Sequence, residues 1–390
     1  MAERGLVALR RRLHALAEPS GAETRTAAFI AARLRACRPA LVLEGLGGHG
    51  VAAAWDAPAG TAGPVVVLRA ELDAVAVPET IALPHASRTG GIAHKCGHDG
   101  HMAMLLGVAR RLAKVPPPQG RLVLLFQPAE ETGAGAAAVA ADPRLRALGP
   151  DWLFALHNLP GYAEGSVLTR PGAFAAGSAG LRISLRGRSA HAAQPDRGRS
   201  PDLAVSELIM ALVTLPPRAA AARELVTVTH ARLGEPAFGV APAQAEVLAT
   251  LRADDDRALA TLRRRAAAAA RAIARRHGLA CSLSWEEVFP VVWNDPTATA
   301  LVRRAAREAG LRPARPRESA FRWSEDFGAL ANLGRGALFG LGAGRRHPGL
   351  HAERYDFNDA LLPTGVDLLY RLARLALQEP PAGARPSRTR

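Results

Sequence analysis

The segment "HKCGHDGH", residues 94–101, places three histidines, a cysteine and an aspartate within eight positions of a 390-residue chain that has only three cysteines. Thiolate and imidazole are good donors to a divalent first-row metal. In a glycine-containing loop, the i, i+2 pair Cys96 and His98 turns two such atoms toward one point. A closed structural zinc site wants four donors closely paired in sequence, and no Cys-x-x-Cys occurs. The second chemistry-bearing stretch is "FQPAEE", where Glu130 and Glu131 follow an apolar run. Side chains of consecutive residues in an extended chain point to different sides, so one glutamate can bind a metal while the other faces the water activated there. Metal binding brings the pKa of water from ~15.7 toward ~7, and a neighbouring carboxylate takes the proton as the water attacks a carbonyl. His157 in "LFALHN", His191 in "GRSAHAAQP" and His351 in "GLHAERYDFND" complete the set of candidates. A lone histidine ending an apolar strand or lying in an Arg-rich loop is more often a packed or surface residue than a ligand. The weight lies in their joint occurrence.

A scaffold has to deliver these residues, and the hydrophobic pattern outlines one. Apolar spacing predicts helices near 6–16, 24–34 and 101–113, the last stopped by Pro116, Pro117 and Pro118. "LVLEGL", "VAAAW", "PVVVLRAELD", "RLVLLFQPAEE" and "DWLFALHN" read as strands, the last three with polar residues at the carboxyl end, where sites in α/β sheets collect. From Gly177 the strands alternate ("LRISLRG", "ELVTVTHARLG", "AEVLATLRA", "ACSLSWEEV"), with helices near 201–215 and 255–277 between them. That order, βαββαβ, is the ferredoxin-like open sandwich. Helices near 296–309 and 361–377, with the strand "GALFGLG", return to the first texture. The fold expected is α/β with a mixed sheet: residues 1–177 and 291–379 form one domain, residues 178–290 an inserted α+β domain, and residues 380–390 a disordered Pro- and Arg-rich tail.

Composition excludes several function classes. The formal charge of +15 suggests nucleic acid, but the arginines are spread along the whole chain and Lys95 and Lys114 are the only lysines. No nucleic-acid-binding motif accompanies them, so solvated Arg-rich surfaces are the expectation. No apolar run reaches the length of a membrane span, and the amphipathic start lacks the apolar region and cleavage site of a secretory signal. A cytoplasmic protein without membrane contact is expected. Cys37, Cys96 and Cys281 are too few and too widely spaced for a disulfide framework.

The order of motifs resembles the metal-dependent amidohydrolases of the aminoacylase and carboxypeptidase G superfamily. Within it, the similarity is to the branch with hippurate hydrolase, auxin-conjugate hydrolases and N-acetyl-diaminopimelate deacetylase. The matching stretches are "LRAELDAVAVPE", "HKCGHDGHMAMLLG", "FQPAEETGAGA", "LHNLPG", "GRSAHAAQP", "SEDFGAL" and "LHAERYDFND", which span nearly the whole chain. The resemblance implies a metallopeptidase-like catalytic domain carrying a lid and dimerisation domain. It implies Cys96, His98, Glu131, His157 and His351 as ligands of two divalent ions (manganese, zinc or cobalt), Glu130 as general base and acid, and Asp73 as the group orienting a ligand imidazole. His191 would reach into the partner subunit of a homodimer to stabilise an oxyanion, and Arg252 would grip a substrate carboxylate.

The activity implied is hydrolysis of the amide bond of a small N-acyl amino acid or related amide. The chain departs from the family pattern twice. Glu71 stands where "Arg-Ala-Asp-x-Asp" has its first aspartate, and Gly239 in "GVAP" stands where an asparagine contacts substrate. Three other readings compete: a non-catalytic ligand-binding relative, a dipeptidase or carboxypeptidase-type peptidase, and a hydrolase using Cys96 as nucleophile.

Overall fold

The computed structural model describes residues 2–58, 61–217, 223–317 and 320–381. Two compact units divide the chain: residues 1–174, 292–321 and 325–390 form the first, residues 175–291 and 322–324 the second. The tail expected at 380–390 lies, from residue 382, outside the described residues.

The first unit is built on an eight-stranded mixed sheet in the order Leu41–Leu46, Gly50–Asp56, Arg121–Gln127, Val65–Glu71, Trp152–Pro160, Arg335–Gly344, then the two-residue strands Val167–Leu168 and Pro313–Ala314. The central strands Val65–Glu71, Arg121–Gln127, Trp152–Pro160 and Arg335–Gly344 run parallel. Their near-continuous apolar runs follow from burial on both faces, the rule for parallel strands covered by helices. Parallel pairing sends Glu71, Gln127 and His157 toward the same sheet edge, so the segments that follow these strands converge there.

Helices cover this sheet. His98–Leu112 is buried along almost its whole length, which explains its apolar composition all round. It packs between Ala2–Leu16 and Leu361–Ala376. Pro296–Glu308 starts where Asp295 accepts from the backbone N–H of Thr297 and Ala298 at 2.8 and 3.0 Å, with Pro296 at the first helical position. No described helix is long and apolar enough to cross a membrane.

The second unit carries strands Gly177–Arg186, Leu225–Leu233, Gln244–Ala253 and Ala280–Phe289, with helices Asp202–Val213 and Asp256–Arg276. The first and third of these strands pair at the centre, the second and fourth at the edges, all antiparallel, as a ferredoxin-like βαββαβ order requires. Inward residues of the strands (Leu181, Ile183, Val247, Leu251) meet Leu208, Leu212, Leu262 and Ile273 of the two helices in a separate core.

One charged network fixes the N-terminal helix of the first unit. Arg10 and His14 lie on its inner face beside Leu6, Leu9 and Leu13, and both are fully buried. Arg10 bonds Asp356 and Asp359 at 2.7 and 2.8 Å; His14 bonds Asp99 at 2.8 Å and Glu79 at 2.9 Å. Burial alone would lower the pKa of His14, but Asp99 and Glu79 outweigh it and raise it to about 9. Burial would raise Glu79, but His14 and Lys95 lower it to about 2.

Two expected outcomes follow from this packing. A Cβ at Gly107 would sit 2.4 Å from Val366 Cγ2 where two helices meet. Gly107→Ala gains about 1 kcal/mol of helix propensity against an overpacking cost of about 1–3 kcal/mol. The melting temperature should therefore fall, and adding Val366→Ala should recover part of the loss. For His14, whose folded pKa lies above the free value of 6.5, the stabilisation is complete below pH 6.5 and is lost as pH rises through about 9. Wild-type stability, measured by denaturant titration, should fall across pH 6.5–9 by up to about 3 kcal/mol more than that of His14→Gln.

Candidate metal centre

The five candidate ligands and Glu130 come together at the carboxyl edge of the first unit's sheet. One donor atom each from Cys96, His98 and His157 lies within 4.8 Å of the others, and the same holds for Cys96, Glu131 and His351, and for His98, Glu130 and Glu131. Cys96 Sγ is 3.5 Å from His157 Nε2, and Glu131 Oε1 is 3.4 Å from His351 Nε2 and 3.8 Å from His98 Nε2. Glu130 Oε2 stands 3.7 Å from His98 Nε2. The two overlapping triads that hold Cys96 thus contain all five residues, and Glu131 faces members of both.

The surroundings orient these side chains. His98 Nδ1 bonds the backbone carbonyl of Asp73 at 2.8 Å, which turns Nε2 toward the cluster. His157 Nδ1 is tied to the carbonyl of Asn158 at 2.8 Å. Asp73 accepts from Ser20 Oγ and from the backbone N–H of Glu131 at 2.7 and 2.9 Å, so it fixes the Glu131 backbone as well as lying 3.5 Å from His98 Nδ1. Two buried atoms aimed into the cluster, His98 Nε2 and Glu131 Oε1, have no hydrogen-bond partner. An orphaned imidazole nitrogen and carboxylate oxygen beside a thiol are what a divalent cation would satisfy, and mixed N, O and S donors suit a first-row metal. The residues fit a divalent metal.

Electrostatics carry the same signature. Burial pushes the Cys96 thiol well above its ordinary value, and Glu131 and Glu130 push it further. His98 is raised to about 10 because Glu71, Asp73 and Glu131 overcome the opposing effect of burial. His157 is lowered to about 3 by burial and by His101, leaving it the neutral imidazole that ligation requires. Burial raises the Glu130 carboxyl well above the carboxylate range, and Glu325 and Glu131 add to it.

Beneath lies a second set of buried charges. Arg69 pairs with Glu71 and, at 2.9 and 2.8 Å, with Glu325 and Asp326. Glu71 and His101 bond each other at 2.7 Å, so although they share a potential triad with His98, their donor atoms are already engaged. Glu325 and Asp326, which form another acidic triad with Glu130, are likewise held by Arg69. Sequence reading passed over Arg69, His101, Glu325 and Asp326 as site residues. The signals were present: an arginine inside an apolar strand, a histidine one helical turn after His98, and an acid pair opening "SEDF".

Three local expectations need correcting. The helix begins at His98, not near residue 101, because Gly97 in the left-handed region (φ 94°) serves as its N-cap; Cys96 precedes the helix and His98 opens it. The strand before the glutamates ends at Gln127, and Ala129 at φ 50° turns the chain. Glu130 and Glu131 therefore diverge through a turn rather than through strand alternation. His157 lies within its strand, paired with Gly340, since the strand continues to Pro160. Ala129 and His351 (φ 61°) are both non-glycine residues in the left-handed region, a costly conformation.

The remaining candidates belong to the second unit. His191 is exposed in a two-stranded antiparallel ribbon, opposite Val240, and its Nδ1 accepts from Ala193 N–H at 3.1 Å. Gly239 O accepts from Ala192 N–H at 3.0 Å, and a Cβ at Gly239 would meet nothing within 4 Å. Arg252 donates to Arg322 O and Ser324 Oγ at 2.9 and 2.8 Å, and burial lowers its pKa.

Comparison with known proteins places this geometry. Residues 67–375 match peptidase family M20/M25/M40. The chain is 34% identical to the N-acetyl-L-cysteine deacetylase of Bacillus subtilis over 83% of this chain and 77% of the relative. It is 30% identical to the hippurate hydrolase of Campylobacter jejuni over 78% of this chain and 80% of the relative. A crystal structure of a dinuclear metal-binding peptidase of the M20 family from Bacillus subtilis superposes with a TM-score of 0.80 at 26% identity, covering 97% of this chain and 99% of that one. With the match extending over most of its length, the chain belongs to peptidase family M20/M25/M40.

Proposed function

We propose that this hydrolase cleaves the amide bond of a small N-acyl amino acid or related amide, with Cys96, His98, Glu131, His157 and His351 holding two divalent ions. The observation that carries the reading is the convergence of these donors with Glu130 alongside, 3.7 Å from His98 Nε2. The deacetylase and hippurate hydrolase relatives, both acting on N-acylated amino acids by name, support the substrate class. Glu131, 3.8 Å from His98 Nε2 on one side and 3.4 Å from His351 Nε2 on the other, would hold metal together with both histidines. When bound, the metal supplies acidification of water and polarisation of the amide carbonyl.

The chain's own groups do the rest. Glu130 takes the proton of the attacking water and returns it to the departing amine nitrogen, and the raised proton affinity of its buried carboxyl favours holding that proton between the two steps. Asp73 keeps His98 turned toward the cluster through its backbone carbonyl and holds the Glu131 backbone through its carboxylate. His191 of a partner subunit donates to the oxyanion as the carbonyl becomes tetrahedral, and Arg252 holds the substrate's carboxylate. Dimerisation through the inserted unit has support in Leu203, Met210 and Val213, which expose 68%, 62% and 45% of their surface on one face of helix Asp202–Val213. Gly239 leaves the ribbon without the amide the family carries, so acyl or carboxylate selectivity differs from that of relatives with asparagine there.

Glu130→Gln should retain bound metal by elemental analysis while losing turnover of N-acetyl and N-benzoyl amino acids by about 10²–10⁴-fold. Full activity in that variant, or wild-type activity that survives chelation and falls to thiol alkylation, would overturn the mechanism in favour of a Cys96 nucleophile. Cobalt, manganese or zinc should restore activity after chelation, and the ranking identifies the ion. Mixed dimers of Glu130→Gln and His191→Ala subunits should regain part of the turnover each homodimer lacks; verified mixed dimers without recovery would exclude the shared site.

A further inference from the structure

The chain segments that bring the metal donors are also joined below them by a buried hydrogen-bonded chain that contains no donor. It starts where Arg69 pairs with Glu71, at the end of strand Val65–Glu71. Glu71 Oε2 bonds His101 Nδ1 at 2.7 Å, His101 Nε2 meets Asn158 Oδ1 at 2.8 Å, and Asn158 Nδ2 donates to the Tyr355 hydroxyl at 2.7 Å. All four side chains after Arg69 are at most 2% exposed. His101 lies one turn after His98 on the same helix, Asn158 adjoins His157, and Tyr355 follows His351 by four residues.

Tyr355 is the meeting point. An added Cβ at Gly97 would sit 2.4 Å from Asn158 Oδ1 and 2.6 Å from the Tyr355 hydroxyl oxygen, so the amide and phenol pack directly against the backbone between Cys96 and His98. The Tyr355 carbonyl accepts from Lys95 Nζ at 2.8 Å, while the Lys95 carbonyl accepts from His351 N–H at 2.9 Å. The loop bearing His351 is thereby clamped to the Cys96 loop through both backbone and side chain. His351 itself is held in the left-handed region, which needs such external restraint.

We propose that Tyr355, acting through Asn158 and Gly97, is a positioning residue that sets metal affinity by pre-placing Cys96 and His98. Its hydroxyl and carbonyl bond Asn158 and Lys95, neither of them a proposed ligand. Loss of its hydroxyl leaves a buried amide hydrogen of Asn158 without an acceptor and frees the Gly97 backbone, and such outer partners govern metal affinity by about 10–100-fold. The proposal rests on the ligand set of the preceding section, and the test separates the two.

Metal-free wild type, Tyr355→Phe and Cys96→Ser are titrated with cobalt, following the thiolate-to-cobalt charge-transfer band, and with zinc in competition with a chromophoric chelator. Tyr355→Phe should bind both metals about 10–100-fold more weakly with an altered charge-transfer band, while the metal-free melting temperature moves by no more than about 4 °C. Cys96→Ser should lose the band. A lost band in Cys96→Ser together with wild-type affinity in Tyr355→Phe overturns the positioning role and leaves the ligand set standing. A band that persists in Cys96→Ser overturns the ligand set and the proposal with it. A fall in metal-free stability that accounts for the whole loss of affinity assigns Tyr355 to packing and also overturns it. Asn158→Ala, read in the same way, serves if Tyr355→Phe does not fold.

Discussion

Carboxylates withdrawn from water need compensating positive charge, and the heart of the first unit is organised around that constraint. Glu71, Asp73, Glu130, Glu325 and Asp326 are all within 4% of full burial. Arg69, itself 1% exposed in the middle of an otherwise apolar strand, answers three of them at once. A guanidinium suits this role because its fork contacts several carboxylates and does not lose its proton. The result is visible in Glu71, which is held well below the usual carboxylate range by Arg69 against the opposing pull of burial. Burial, with Glu325 and Glu131, pushes Glu130 the other way. Arg69 thus holds Glu71 low, whereas burial keeps Glu130 and Asp326 well above the usual carboxylate range.

The surplus negative charge left above Arg69 is what makes a divalent cation fit. Glu131 and Glu130 raise the proton affinity of Cys96, Glu131 raises that of Glu130, and the surrounding carboxylates bring His98 to about 10. Protons and metal compete for the same atoms, so loading the centre releases protons and tightens as pH rises. His157 is the exception, already neutral through burial and through the neighbouring His101. The buried frame of His101, Asn158 and Tyr355 belongs to the same logic: it holds donors close together that would repel one another without an ion.

The sequence made the donors legible because each sits in a short motif with its own chemical type, and because apolar runs before Glu130 and His157 announced central strands. The βαββαβ order of the second unit was equally readable from alternating strands around two helices. Local backbone was not. Whether His98 sits in a loop or opens a helix turns on the left-handed Gly97, and the divergence of Glu130 from Glu131 turns on the left-handed Ala129. Neither conformation leaves a periodic trace. The partners of Arg69 and of Tyr355 were hidden for a different reason. Glu325 and Asp326 lie 256 and 257 positions from Arg69, and Asn158 lies 197 from Tyr355, and long-range pairing of polar groups follows no spacing rule.

Gly239 closes the account from the other direction. Most glycines in the first unit's helices are there because a neighbour leaves no room, as Val366 does for Gly107, and are frozen by their surroundings. Around Gly239 there is open space and no left-handed backbone to protect. A side chain can be added at this point of the His191 ribbon without disturbing the hydrophobic interior. On the proposed function, selectivity can drift there by single replacements without any change in the cluster of Cys96, His98, Glu131, His157 and His351.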